Sequence, residues 1–334
     1  MNSERLTLYK ELEEKRQSRL LVFVTGDRPG LETQIHSEVL DFFSDHLDAY
    51  NGKLPKISLL LYTRGGNTLA AWGIVNLIRQ FCHEFEVIVP SKAHSAGTLI
   101  CLGADSILMT KQATLGPIDP SVNTPLNPQI VGGPPHARYP VSVEAIKGYI
   151  ELSKKELGIK AGKDFSNILI DLANKVHPLV LGEVYRAREQ IRELAKNLLS
   201  RQVKDKRKIE NIISFLCSDS GSHDYLINRR EARDKLGLKI DKPNDELYGL
   251  LKKIYLNIRD EMELNNKYDP NTVIGADKEK KYSFKRVIIE STINGTDAFI
   301  SEGVIKKVQI NTGPMVQEAI QDQRVFEGWR HLSE

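Results

Sequence analysis

The chain has 334 residues, 40% hydrophobic and 27% charged, a composition that places it among soluble globular proteins long enough to bury a core. Its 47 basic and 44 acidic residues leave a net charge of +3, which gives no reason to expect a nucleic-acid or anionic-membrane partner. Cys82, Cys101 and Cys217 are far apart, with neither metal-ligand spacing nor a disulfide framework, so reduced thiols and no metal or cofactor are expected.

In chain order, residues 1–19 are densely charged and predict a helix; they contain no apolar core of the kind a signal peptide needs. Leu20 to Val24 reads as a buried strand, followed by Ile35, Val39, Phe43 and Leu47 at helical spacing. Ile57 to Tyr62 is a second strand and Ala71 to Cys82 a second helix face. Val87 to Val89 is a third strand, Ala96 to Gly103 a small apolar helix and Ser106 to Thr110 a fourth strand. Strands alternating with amphipathic helices imply βαβ units and a mainly parallel sheet, and continuous apolar strands imply that both faces are covered. No run is long and apolar enough to span a bilayer, so a cytoplasmic location is expected.

Residues 117–140 hold seven prolines and little periodicity, a long irregular segment that reads either as a substrate-binding lid or as a surface excursion. Helical patterns return from Val143 to Leu157, Ile168 to Val176 and Val180 to Leu199, with a break at His177-Pro178. The charge cluster Lys204 to Lys208 marks a boundary. Beyond it come Ile209 to Leu216, a capping pattern at Asn228 and Glu231, a long helix from Asn244 to Glu263, and strand-like runs at Val287 to Ile289 and Ala298 to Ile300. The expected organisation is a charged N-terminal helix (1–19), an α/β core (20–203) with the long loop 117–140, and a mostly helical C-terminal domain with a few short strands (204–334).

Two turns lie at the carboxyl ends of predicted parallel strands, where sites collect in α/β folds. One is Thr63-Arg64-Gly65-Gly66-Asn67, whose paired glycines permit a sharp turn with exposed amides. The other is Ala93-His94-Ser95-Ala96-Gly97-Thr98, which opens a helix. A serine there faces unpaired N–H groups and the positive end of the helix dipole, a setting that favours charge developing on a substrate oxygen. Each turn by itself also has a plain explanation: a tight turn, and a serine N-cap.

Together, Gly65-Gly66, a helix, a strand and Ser95-Ala96-Gly97 resemble the proteolytic subunit of Clp and signal peptide peptidase A. Ser95 to Thr98, Leu115 to Pro120, His177-Pro178-Leu179, Ser222 to Tyr225 and Arg229 to Gly237 resemble the serine dehydrogenase proteinase family. The resemblance covers roughly Leu20 to Ile240. It implies a Clp/crotonase-like α/β core and a serine peptidase-like hydrolase acting on peptide or protein substrates, assembled as a homo-oligomer. Ser95 would be the nucleophile, with Gly65-Gly66 and Ala96 supplying the oxyanion hole. The Clp subunit's histidine has no counterpart in Gly116-Pro117-Ile118-Asp119. Lys147, as in a Ser-Lys dyad, or His177, as in a Ser-His pair, is therefore the candidate base. His94 is expected to point away from its neighbour, and Asp119 to order its own loop. Two other readings stand beside this one. A non-catalytic scaffold would use Ser95 only as a cap, and a crotonase-like acyl-CoA enzyme would need the amides but no nucleophile.

Overall fold

The computed structural model describes residues 2–118, 121–159, 162–219, 224–312 and 315–332. Asp119, Pro120, Ser222 and His223 lie outside the described residues. In chain order the elements are α1 (Ser3–Arg16), β1 (Arg19–Thr25), α2 (Val39–Asp48), β2 (Leu54–Tyr62), α3 (Thr68–Phe81), β3 (Cys82–Val89), β4 (Lys92–Ala93), α4 (Ala96–Leu102), β5 (Ser106–Met109) and β6 (Thr114–Leu115). Next come β7 (Ser121–Val122), β8 (Val141–Ser142), α5 (Val143–Glu151), α6 (Lys163–Lys175), α7 (Pro178–Leu199) and α8 (Lys206–Ser214). The chain ends with β9 (Ile227–Asn228), α9 (Arg229–Asp234), β10 (Ile240–Asp241), α10 (Asp245–Glu261), α11 (Pro270–Ile274), β11 (Glu279–Ser291), β12 (Gly295–Thr312) and β13 (Met315–Leu332).

These elements form two compact units. One comprises Met1–Leu115 and Ile227–Glu334, the other Gly116–Leu226. The first is built on an eight-stranded sheet in the order β10-β5-β3-β2-β1-β11-β12-β13. It is parallel from β10 to β1, as the alternation of strand and helix requires, and antiparallel beyond. Successive side chains on a strand point to opposite faces. Leu20, Val22 and Val24 of β1 therefore join Tyr9 and Leu12 of α1 and Leu251 and Ile254 of α10 in one core layer. Phe23 on the opposite face meets Phe43 of α2 edge-on, 5.2 Å between ring centroids.

The N-terminal helix forms where its charge pattern places it, with Asn2 Oδ1 accepting from Glu4 N and with Lys15 and Arg16 in its last turn. It is no solvated appendage, because Tyr9 and Leu12 are fully buried.

The chain does not divide at residue 204. It re-enters the sheet-bearing unit at Ile227, and from Glu279 on it is mostly strand: β11 and β12 form a hairpin, and β13 pairs with β12 as the outer strand. The apolar runs at Val287 and Ala298 mark only the stretches that cross the core. In β11, Val287–Ser291 is buried while Glu279–Lys281 is exposed, so the outer portion has no apolar periodicity to read.

In the second unit, the proline-rich stretch is organised around one buried side chain. Asn127 Nδ2 donates to Val122 O at 2.6 Å and Tyr139 O at 2.8 Å, while its Oδ1 accepts from Thr124 N at 3.1 Å. Val122, Val141, Val143, Val180 and Val184 make this unit's small core. Among the described residues no helix is long and apolar enough to cross a membrane.

Candidate active site

The site is assembled at the carboxyl ends of β2 and β3. Thr63, fully buried just past β2, sets the first turn: its N–H donates to Lys92 O at 3.1 Å and its carbonyl accepts from His94 N at 3.1 Å. Its Oγ1 accepts from Gly65 N at 3.0 Å and lies 2.7 Å from Thr25 Oγ1. Lys92 anchors the second turn through Asp27 at 2.8 Å.

Gly65 and Gly66 have φ of 114° and 142°, values a side chain resists. Space excludes one as well. A Cβ on Gly65 would fall 2.7 Å from Ser95 Cβ and 2.9 Å from His94 O, so the two turns predicted from sequence touch. A Cβ on Gly66 would fall 2.4 Å from both N and O of Ile35. The segment before α2 is bridged here: Ile35 N donates to Gly65 O, and Asn67 N to Ile35 O, both at 2.8 Å. Gly66→Ala is therefore expected to cost at least about 2 kcal/mol, since backbone and not a flexible side chain must yield. An unchanged urea midpoint would contradict the clamp.

Ser95 precedes α4 with φ 52° and ψ −115°. Among the described residues the other non-glycine residues with positive φ are Gln17 and Glu263. Gln17, with ψ 46°, is an ordinary left-handed helix cap, whereas the ψ of Ser95 lies outside that basin. A strained strand-to-helix turn of this kind stores on the order of 1–3 kcal/mol and holds a side chain outward. The serine makes no side-chain capping bond to its helix, so the plain N-cap explanation is not realised. Gly97 lets the helix start close to the sheet, since a Cβ there would fall 2.5 Å from Thr63 Cγ2. Among the described residues no acceptor takes the N–H of Gly66 or of Ala96.

The neighbouring His94 turns its ring to Thr114, with Nε2 2.9 Å from Oγ1. Cys101, in α4 behind the serine, is fully buried, and burial pushes its thiol well up; burial likewise pushes Cys82 up to about 11. Neither supplies a thiolate near neutral pH. Among the described residues no cluster of three His, Cys, Asp or Glu is placed to hold a metal.

Gly65, Gly66, Ser95 and Ala96 thus come together within the sheet-bearing unit. Lys147 and His177 belong to the other unit and are described within it. Lys147 Nζ lies 3.9 Å from Glu144 and 3.8 Å from Glu151, contacts that use its ammonium form. His177 caps α7, its Nδ1 accepting from Leu179 N at 3.2 Å. The sequence reading gave Thr63 no role within its turn and placed Ile35 on a helix face, whereas Ile35 precedes α2. A buried threonine at a strand end leaves a faint signal, and a backbone clamp from Ile35 leaves none.

Residues 49–147 match the model of the family described as ClpP-like SDH-type serine proteinases. Among curated proteins, the uncharacterized protein MJ0137 of Methanocaldococcus jannaschii is 33% identical over 199 residues, covering 58% of this chain and 57% of that one. The uncharacterized protein MJ1495 of the same organism is 28% identical over 185 residues, covering 55% and 52%. The chain spans about half the length of the curated relatives it matches. Two solved structures are similar at 18% identity: a membrane-bound stomatin-specific protease, 1510-N (TM-score 0.39; 66% of this chain, 79% of that one), and ClpP1 from Listeria monocytogenes (TM-score 0.37; 72% and 99%). The matched stretch, residues 49–147, holds both Gly65-Gly66 and Ser95-Ala96-Gly97.

Proposed function

We propose that the protein is a serine peptidase-like hydrolase in which Ser95 Oγ attacks the carbonyl of a peptide bond. The N–H groups of Gly66 and Ala96 receive the oxyanion, and an acyl-enzyme forms that water then hydrolyses. The observation that carries this reading is the strained backbone of Ser95 (φ 52°, ψ −115°) beside amides with no internal acceptor. Strain at a serine that forgoes its capping bond has no structural benefit, whereas an outward hydroxyl beside two free donors serves acyl transfer. The family match supports the same role. A homo-oligomer in the cytoplasm acting on peptide or protein substrates completes the reading.

The proton of Ser95 goes to Lys147 or His177 in this scheme, and each must leave its present work. Lys147 would have to lose a proton while flanked by the carboxylates of Glu144 and Glu151, 3.9 and 3.8 Å away. His177 would have to turn the lone pair of Nδ1 away from Leu179 N. Those engagements favour the second reading, a scaffold on the same core. Labelling the purified protein with a fluorophosphonate and locating the adduct separates the two. An adduct on Ser95, lost in either Lys147→Ala or His177→Ala, names the base. No adduct between about pH 6 and 9, where a tuned base acts, assigns the scaffold.

A further inference from the structure

The second unit carries a cavity of about 470 Å³ between α5 and α7. Its floor is aliphatic: Ile146 and Ile150 from α5, Leu181 and Val184 from α7. Val184 is buried in the unit's core, while Ile146, Ile150 and Leu181 remain partly open. These positions fall on one face of each helix because residues three and four apart are neighbours. Tyr185, 65% exposed, stands at the edge as an uncovered aromatic.

The rim is cationic: Lys147, Lys154, Lys155 and Arg188. Glu151 is the one carboxylate in the lining, and Lys147 and Lys155 already neutralise it, at 3.8 and 3.3 Å. Lys154 lies over the Phe165 ring at 4.6 Å, a contact that brings no negative charge to it. Arg188 Nε is buried and meets no acceptor among the described residues. A buried guanidinium N–H without an acceptor is costly unless a ligand supplies one. The arrangement therefore has an apolar trough for side chains spaced along a helix and, beside it, positive charge with a donor waiting.

We infer that this groove docks an acidic amphipathic peptide segment, its apolar residues seated on Ile146, Ile150, Leu181 and Val184 and a carboxylate on Arg188. The segment fits better than a purely apolar one because, among the described residues, no carboxylate pairs with Lys154 or Arg188. It fits better than a basic one because like charges would meet. The inference is independent of whether Ser95 is a nucleophile.

The test uses the full chain carrying Ser95→Ala, so that a probe cannot be cut, and three fluorescent helical peptides of equal length read by anisotropy. One has leucines at helical spacing among glutamates. In the second lysines replace the glutamates, and in the third serines replace the leucines. The first is expected to bind in the micromolar range, more weakly as salt rises, and about tenfold more weakly to Arg188→Glu. Lys154→Glu, at an exposed position that packs no core, is expected to weaken it likewise, which guards against misfolding of the Arg188 variant. The other two peptides are expected not to bind. Absence of binding by the glutamate–leucine peptide, equal binding by the serine peptide, or indifference to both substitutions would overturn the inference. So would a self-associated wild type that Arg188→Glu dissociates in sedimentation, since the groove would then hold a second copy.

Discussion

Ser95→Ala is expected to abolish fluorophosphonate labelling and to lower any peptide hydrolysis by about 10³–10⁶-fold, the range seen when the nucleophile of an acyl-transfer site is removed. The fold should be untouched, since the side chain makes no capping bond. A companion substitution reads out the strain. Ser95→Gly removes the hydroxyl equally but frees a backbone held at φ 52° and ψ −115°. It should abolish labelling and still raise thermal stability, by up to about 1 kcal/mol after the larger unfolded-state entropy of glycine is subtracted. That pairing, activity lost and stability gained, is the mark of a residue strained for chemistry. Labelling that persists in Ser95→Ala would place the reactive group elsewhere, and a destabilised Ser95→Gly would mean the turn is not strained.

Arg5→Ala is expected to destabilise the protein by about 3–5 kcal/mol, the cost of leaving a buried charge without its partner. Arg5 is fully buried. It pairs with Glu290 of β11 at 2.5 Å and with Glu261 at the end of α10, and also donates to Asn257 Oδ1 at 3.1 Å. Glu290, itself fully buried, accepts from Tyr9 and Thr296 as well, so the cluster ties α1 to the antiparallel part of the sheet. Truncating Arg5 strands Glu290 with two neutral donors. Urea unfolding measures the loss, and Arg5→Met combined with Glu290→Leu should recover most of it, because an apolar pair carries no desolvation cost. A loss under about 1 kcal/mol would mean that α1 is not docked in solution. The same contact shapes the acid limb. Burial raises the Glu261 carboxyl, but Arg5 and Lys285 outweigh it and hold it below its ordinary value of 4.5. A depressed folded value means stability that is present above 4.5 and lost as pH falls through the folded value. Glu261→Gln should flatten that limb.

How far each feature could be read from the chain depended on how local its cause is. The alternation from Leu20 to Thr110 was legible because a buried parallel strand needs a continuous apolar run and a covering helix needs a 3.6-residue stripe. The two turns were legible because paired glycines and a serine opening a helix are local signals. Asn228 and Asn244 cap α9 and α10 where the sequence placed helix starts, by accepting from N–H groups two and three residues on. The long hairpin of β11 and β12 was not legible beyond its apolar centre, since its outer portion faces solvent and carries charge. The charged helix gave no sign that Arg5 is buried, because its compensating carboxylates are more than 250 residues away. The proline-rich stretch left open whether it was ordered, and Asn127 settled that through two carbonyls on its flanks.

The sequence by itself determined the parallel core and the two turns, one with paired glycines and one with a serine opening a helix, all consequences of spacing within a few residues. Only the tertiary structure decided that Gly65 touches Ser95, that Ile35 clamps Gly66, that no acceptor among the described residues takes the amides of Gly66 and Ala96, and that the chain re-enters its sheet at Ile227. Each of these sets atoms from distant segments against one another. Chain connectivity and hydrophobic periodicity constrain neighbours along the chain, whereas hydrogen-bond satisfaction and steric exclusion act only once the strands are in order.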